Sequence, residues 1–305
     1  MAEPAPVPGR LPAGPVTSPV VAAAAVAVAA ALFGTSFLVM QEAVEDVEPV
    51  PFLAVRFAFG ALSLAPFARR ADRPGVARAG TVAGLVLAVG YLFQTTGIQY
   101  TTSSASAFIT YLLVVMVPLI VAVVSRRLPP PTTAAGVVLA VAGLVLLTGG
   151  SVGFGKGEAL TLGCAFSFAV HIVVLADYAP RFDTVRLTAV QLGVASLVLA
   201  VPGLLLGGYG LSWTALLAAA YTGVAVSAAA FFLQIWGQRV LGPTRTALLL
   251  MLEPVFAALV GYVAGERLGL AGTVGALLIL AGIAVAEAPG VLTRGSASRQ
   301  AEAAG

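Results

Sequence analysis

The stretch GQRVLGPTRTALLLMLEPVFAALVGYVAGERL, Gly237 to Leu268, repeats an earlier one, GIQYTTSSASAFITYLLVVMVPLIVAVVSRRL, Gly97 to Leu128. Laid together without a gap, Gly97 on Gly237, they agree at eight of 32 positions: Gly97/Gly237, Ala107/Ala247, Leu112/Leu252, Val115/Val255, Leu119/Leu259, Val123/Val263, Arg127/Arg267 and Leu128/Leu268. After a one-residue slip the match resumes at Gly136/Gly275, Ala142/Ala281 and Gly143/Gly282. An apolar chain yields some identity for free, so the glycine spacing and the Arg-Leu pair weigh more than the count.

The chain around these stretches is 59% hydrophobic and 10% charged, against roughly a quarter charged in soluble domains. Apolar runs of about 20 residues, the length that crosses about 30 Å of hydrocarbon, recur ten times. They lie at roughly 20–40, 50–68, 79–98, 104–124, 132–149, 158–177, 187–206, 213–235, 246–264 and 271–288. The fold expected is an all-α integral membrane protein with no room for a soluble domain. Residues 1–19 and 289–305, rich in small residues, read as disordered tails. The amino-terminal one is not a signal peptide, because the first run is long enough to span and no cleavage site follows it.

The repeat lays spans four and five over spans nine and ten, so each unit, 20–149 and 158–288, holds five helices. Five is odd. The second unit must enter the membrane from the opposite side, giving two inverted five-helix repeats, the construction common among secondary transporters, with the site near the midplane. Orientation follows from the basic residues: of sixteen Lys and Arg, thirteen fall on one side, including Arg69, Arg70, Arg126, Arg127, Arg181 and Arg239. Lys156 and Arg267 face the other side, and Arg56 lies within a span. The positive-inside rule therefore puts both termini in the cytoplasm of a multi-pass protein in the plasma membrane. It also accounts for the net charge of +3 without a nucleic-acid partner.

The chain resembles the drug/metabolite transporter superfamily in its EamA type. The residues that carry the resemblance are LFGTSF, PFLAVRF and GIQYTTSSASAFI in the first half. In the second they are LGPTRTALLLMLEPVFAALVGYVAGERL and GALLILAGIAV. The resemblance implies two five-helix halves and, because efflux is common in that family, export. Two departures are visible. Pro118 lies one helical turn later than the position matching Pro254, and SRRLPPP stands where the second half has AGERLGL.

Intramembrane polar residues are the candidate site. Glu253 shares a helix face with Ala257, Gly261 and Gly265, and small residues at that spacing admit a neighbouring helix, so the carboxylate faces protein or a cavity. Beside it Pro254 frees the carbonyl of Leu250 and breaks the helix; Pro118 is expected to break the fourth span in the same way. Glu253 reads as a substrate-ammonium or proton site, or else as a carboxylate held by neighbours to brace the break. Its first-half counterpart is Leu113, so the carboxylate and its adjoining break belong to one half alone.

Arg56 lies two turns inside span two, to capture a substrate carboxylate or to bridge an outer acid such as Glu45 or Glu48. Ser227, Phe231, Gln234 and Gln238 form one polar stripe, and Tyr91, Gln94, Thr95 and Ile98 another, suited to a cavity for a small amphipathic solute or to helix packing. His171 is a candidate proton carrier, but Asp177, six residues on, is off its face and makes no relay or metal pair with it. Cys164 is alone, so neither disulfide nor thiolate metal site arises, and no cofactor is expected. GSVGFGKGEA at 150–159 imitates a phosphate loop but has Gly157 in place of the magnesium-binding Ser or Thr and joins two membrane spans.

The function expected is secondary transport of a small metabolite or drug-like solute by alternating access, driven by the solute's gradient or by proton exchange. The partners are that solute and the lipid bilayer. The competing readings are a membrane scaffold without flux and, less favoured, an integral membrane enzyme. The latter lacks a nucleophile with its base, a metal cluster or paired carboxylates.

Overall fold

The computed structural model describes residues 18–43, 47–68, 74–150, 155–206, 208–263 and 269–302, and of residues 36–43, 103, 206 and 288–302 the backbone alone. The described residues form helices without strands. The first span is α1 (Pro19–Ala43), the second α2 (Pro49–Leu64) with a closing 3-10 turn, and the third α3 (Val76–Gly97). The fourth is broken into α4 (Ser103–Tyr111) and α5 (Leu113–Ser125), and the fifth is α6 (Pro131–Thr148). Then come α7 (Lys156–Tyr178) and α8 (Thr184–Leu206). The eighth span joins α9 (Trp213–Tyr221) to α10 (Phe231–Leu241) through a π-helical segment, Thr222–Ala230. The ninth is broken into α11 (Pro243–Leu250) and α12 (Leu252–Val263), and α13 (Leu270–Glu302) ends the chain.

Nine of these spans are long and apolar enough to cross a membrane among residues with described side chains; α1 adds a tenth apolar helix of 25 residues. The last helix continues to Glu302, through residues that the sequence assigns to a tail. Sequence chemistry sets many ends. Pro49, Pro131 and Pro243 open α2, α6 and α11, where a missing N–H costs nothing. Thr102 and Ser212 accept from the backbone N–H groups of Ala105 and Ala215 at 3.2 Å and cap α4 and α9.

Packing pairs α6 with α13, α2 with α8, and α3 with both α7 and α8; α1 runs against α10 and α12, α7 against α4 and α5, and α2 against the π-helical segment. Exchanging each span with the one five places on leaves this set of partnerships unchanged. Glycine makes the approaches possible. A Cβ at Gly136 would sit 2.5 Å from the carbonyl oxygen of Gly282, and one at Gly275 would sit 2.5 Å from that of Gly143. These two contacts are one contact repeated, because Gly136 corresponds to Gly275 and Gly143 to Gly282, and they fix α6 and α13 antiparallel.

The same correspondence explains the π-helical segment. A Cβ at Gly223 would meet the Arg56 carbonyl oxygen at 2.5 Å and Phe59 Cβ at 2.7 Å; one at Gly84 would meet the Gln191 carbonyl oxygen at 2.5 Å and Val194 Cβ at 2.8 Å. Gly84 and Gly223 are thus equivalent in packing. Yet the register that lays Gly97 on Gly237, which approach α7 and α1 alike, lays Gly84 on Val224, one position past Gly223. The second half therefore holds one extra residue between these glycines, and a residue inserted into an α-helix is accommodated as a π-turn.

Candidate functional site

Seven spans wall a cavity of about 540 Å³. Pro49 at the start of α2 and Ile98 at the end of α3 line its mouth at one membrane face, with Gln94, Thr95 and Ser106 just below. Its floor is Leu87, Ile172, Gln234 and Leu250. At the opposite face every lining residue is at least six residues from the end of its span, so about 9 Å of protein closes that side.

Two charged side chains enter from different halves. Arg56, 3% exposed, lies seven residues into α2, and its Nε donates to Ser227 Oγ at 2.9 Å. Its guanidinium also interacts through space with Glu253 and Tyr91. Glu253 lies ten residues from either end of the ninth span, at its middle, in the first turn of α12, where the helix dipole favours an anion. Its carboxylate faces the same space as the Tyr111 hydroxyl, at the end of α4. The two broken spans also pack on each other, α5 against α11.

The remaining wall is aromatic and apolar. Edge-to-face contacts join Phe33 to Phe231 (5.1 Å between centroids), Phe231 to His171 (6.0 Å), Tyr91 to Phe168 (5.2 Å) and Tyr91 to Phe57 (5.0 Å). Such a surface binds apolar groups and, through ring faces, cations.

Of the residues singled out by sequence, Glu253, Arg56, Gln94, Tyr91, Gln234 and His171 line this one cavity, and Ser227 binds Arg56 from behind it. His171 Nε2 pairs with Gln191 Oε1 at 3.0 Å. Asp177 pairs with Arg181 at an exposed helix end, away from His171. The face of Ala257 is a packing face: a Cβ at Gly34 of α1 would stand 3.0 Å from both the Glu253 carbonyl oxygen and the Ala257 nitrogen. Gly265, Arg267 and Glu45 lie outside the described residues. No group of three or more metal-ligating residues occurs among those described.

The structure corrects the breaks. Pro118 lies inside α5 and breaks nothing; the fourth span breaks at Leu112. A proline removes the bond to the carbonyl four residues earlier, here Val114, which falls short of Leu112. The ninth span breaks at Met251, where Pro254 frees the Leu250 carbonyl. A break is therefore not peculiar to the second half. Both breaks have the same local form: Leu112 N donates to Ile109 O at 3.1 Å and Met251 N to Leu248 O at 3.0 Å.

Sequence reasoning passed over Tyr111, Phe33 and Phe168. Phe33 and Phe168 correspond in a second register, the one that lays Ala22 and Val26, packed on Gly237, over Gly157 and Thr161, packed on Gly97. That register, between α1 and α7, is the signal that finds them.

Comparison with known proteins agrees on the family. The EamA-like transporter family matches residues 20–149 and again 155–287. Two proteins of Archaeoglobus fulgidus, each named "Uncharacterized transporter", are similar: one is 31% identical over 262 residues, covering 85% of this chain and 83% of that protein. The other is 29% identical over 265 residues, covering 86% and 95%. A solved crystal structure superposes with a TM-score of 0.74 at 22% identity, over 88% of this chain and 98% of that one.

Proposed function

Because the chain belongs to the EamA-like transporter family, we propose that it is a secondary transporter that moves a small, charge-bearing metabolite or drug-like solute through this cavity. The observation that carries this reading is a mid-membrane cavity in which an arginine from one half and a glutamate from the other face the same space between aromatic walls. Glu253 takes an ammonium group or a proton, Arg56 takes a carboxylate, and Phe33, Tyr91, Phe168 and Phe231 hold the apolar part. A solute carrying both charges satisfies both poles.

The two halves are inverted repeats, and transport is alternating access between them. The reciprocal glycine contacts of α6 and α13 and the five-place symmetry of packing support this. The arginine distribution makes the face with the cavity mouth the outer one and leaves both termini in the cytoplasm. Export follows from family resemblance. A membrane potential or proton gradient drives the cycle, with Glu253 as the titrating group.

The test is flux in proteoliposomes against a panel of amino acids, polyamines and cationic drugs, with and without a pH gradient. Saturable flux of a charged solute, competed by its analogues and lost on replacing Glu253 or Arg56, is the expected result. Absence of flux across the panel favours a scaffold.

A further inference from the structure

The floor beneath the cavity contains a second polar cluster. Thr184, Thr188 and Gln191 on α8 and Gln238 on α10 are buried, 4%, 0%, 0% and 1% exposed. They lie between the cavity floor and the closed face, where Arg239 Nη1 reaches Thr184 Oγ1 at 3.3 Å. Gln238 Nε2 donates to the Ile172 carbonyl and Gln191 Oε1 pairs with His171, both residues of the cavity wall. Two amide atoms of this cluster have no hydrogen-bond partner: Gln191 Nε2 and Gln238 Oε1. The third such atom among the described residues, Thr110 Oγ1, belongs to the cavity wall itself, beside the Cys164 thiol.

Reversing either amide does not remove the problem. Gln238 must direct its NH₂ group at the Ile172 carbonyl, and whichever end of Gln191 faces His171 leaves the other end unmatched. Buried amide atoms are seldom left so, and leucine fills comparable positions along α8 at Leu192 and Leu199.

The repeat explains the cluster. The matched contacts of Gly223 with Arg56 and Phe59, and of Gly84 with Gln191 and Val194, set Arg56 equivalent to Gln191. Carried along the two helices, that register lays Pro49 on Thr184 and Leu53 on Thr188; the register of Gly97 on Gly237, which governs the ends of α3 and α10, lays Ile98 on Gln238. The four residues that lead from the mouth to the arginine, Pro49, Leu53, Arg56 and Ile98, thus correspond to the four buried polar ones.

We propose that Thr184, Thr188, Gln191 and Gln238 are the inner half of the solute path, packed shut in this structure and opened to the cytoplasmic side when the outer cavity closes, with Gln191 the inner counterpart of Arg56. Opening hydrates the two unmatched amide atoms, which supplies a reason for their presence in the closed floor. At the position matching Arg56 the inner path holds the neutral Gln191, with the cation Arg239 out at the cytoplasmic end against Thr184. A solute group is therefore held by charge on one side and by uncharged hydrogen bonds on the other. This rests on the transport reading above.

The test uses Cys164→Ser protein with single cysteines at Thr188, at Gln238 and, as an equally buried control on α8, at Leu187. Inverted membrane vesicles are treated with a cationic, membrane-impermeant methanethiosulfonate, which needs no known solute. Thr188→Cys and Gln238→Cys are expected to react about tenfold faster than Leu187→Cys, and only from the cytoplasmic side. A bulky maleimide first attached from outside to an added Ile98→Cys, wedging the outer mouth, is expected to slow both. Inner thiols no more reactive than Leu187→Cys, or indifferent to the wedge, overturn the proposal. Flux measured on the same wedged protein separates the two claims: blocked flux with silent inner thiols sinks the inner path alone, whereas flux unaffected by the wedge sinks the transport reading and the inner path with it.

Discussion

The fourth and ninth spans are broken within one residue of the same repeat position, at Leu112 and at Met251, and each adds a residue beyond its break to the cavity, Leu113 and its counterpart Glu253. One is a leucine and the other a carboxylate. The break is therefore a property of the repeated architecture, and the charge is an addition to one copy. Breaking a span exposes backbone polar groups that must face protein or a cavity, which makes the junction a place where a charge is tolerable; only the second half uses it. Tyr111, at the end of α4, adds to the asymmetry by bringing its hydroxyl to the cavity that Glu253 lines.

If the charge is what distinguishes the spans, removing it has the largest effect. Glu253→Gln keeps shape and loses charge; removing one member of a buried charge interaction costs about 2–5 kcal/mol, roughly 30- to 4,000-fold in flux. The pH dependence of the remaining flux should vanish while the protein stays in the membrane at normal abundance. A variant with its pH profile intact removes Glu253 from the coupling. Pro254→Ala is next. The new N–H can bond the Leu250 carbonyl and join α11 to α12, rotating Glu253 away from Arg56, with an expected loss of about tenfold or more. Helix continuity across Met251, read by amide exchange, should rise in parallel; a continuous helix with full flux would show that the break is not needed.

Tyr111→Phe tests whether the Tyr111 hydroxyl serves the Glu253 carboxylate across the two breaks. A hydrogen bond to a charged group contributes about 1.5–3 kcal/mol, so solute affinity should fall by about tenfold or more while maximal flux changes less. Equal changes in both would make Tyr111 a packing residue only.

Most of the scaffold was legible because its signals are long-range averages: ten apolar runs, and glycines recurring in a fixed register. The cavity was legible where polarity is costly. Arg56, Glu253, Gln94 and Gln234 stand out because lipid gives no reason to keep them, and Gln94 falls on Gln234 in the register that lays Gly97 on Gly237. Phe33 and Phe168 were hidden because an aromatic ring in a membrane helix is ordinary, and Tyr111 because its hydroxyl matters only once α12 is beside it. The break at Leu112 has no local mark: no proline or glycine lies within one turn before or after it. Attaching the fourth-span break to Pro118 failed for that reason.

The smallest effect should come from Pro118→Ala, and it is the sharpest check on whether the two breaks have different causes. Pro118 is buried midway along α5, six residues past Leu112. Alanine restores one backbone bond, to Val114, worth about 1 kcal/mol, and gives up the packing of the buried ring at comparable cost. Neither change reaches the turn closed by Leu112 N and Ile109 O. Flux should stay within about twofold of the parent and amide exchange at Leu112 should not change. A loss as deep as that of Pro254→Ala would mean that Pro118 acts on the break from a distance. The two halves would then share a proline-driven mechanism, instead of one backbone form reached by two routes.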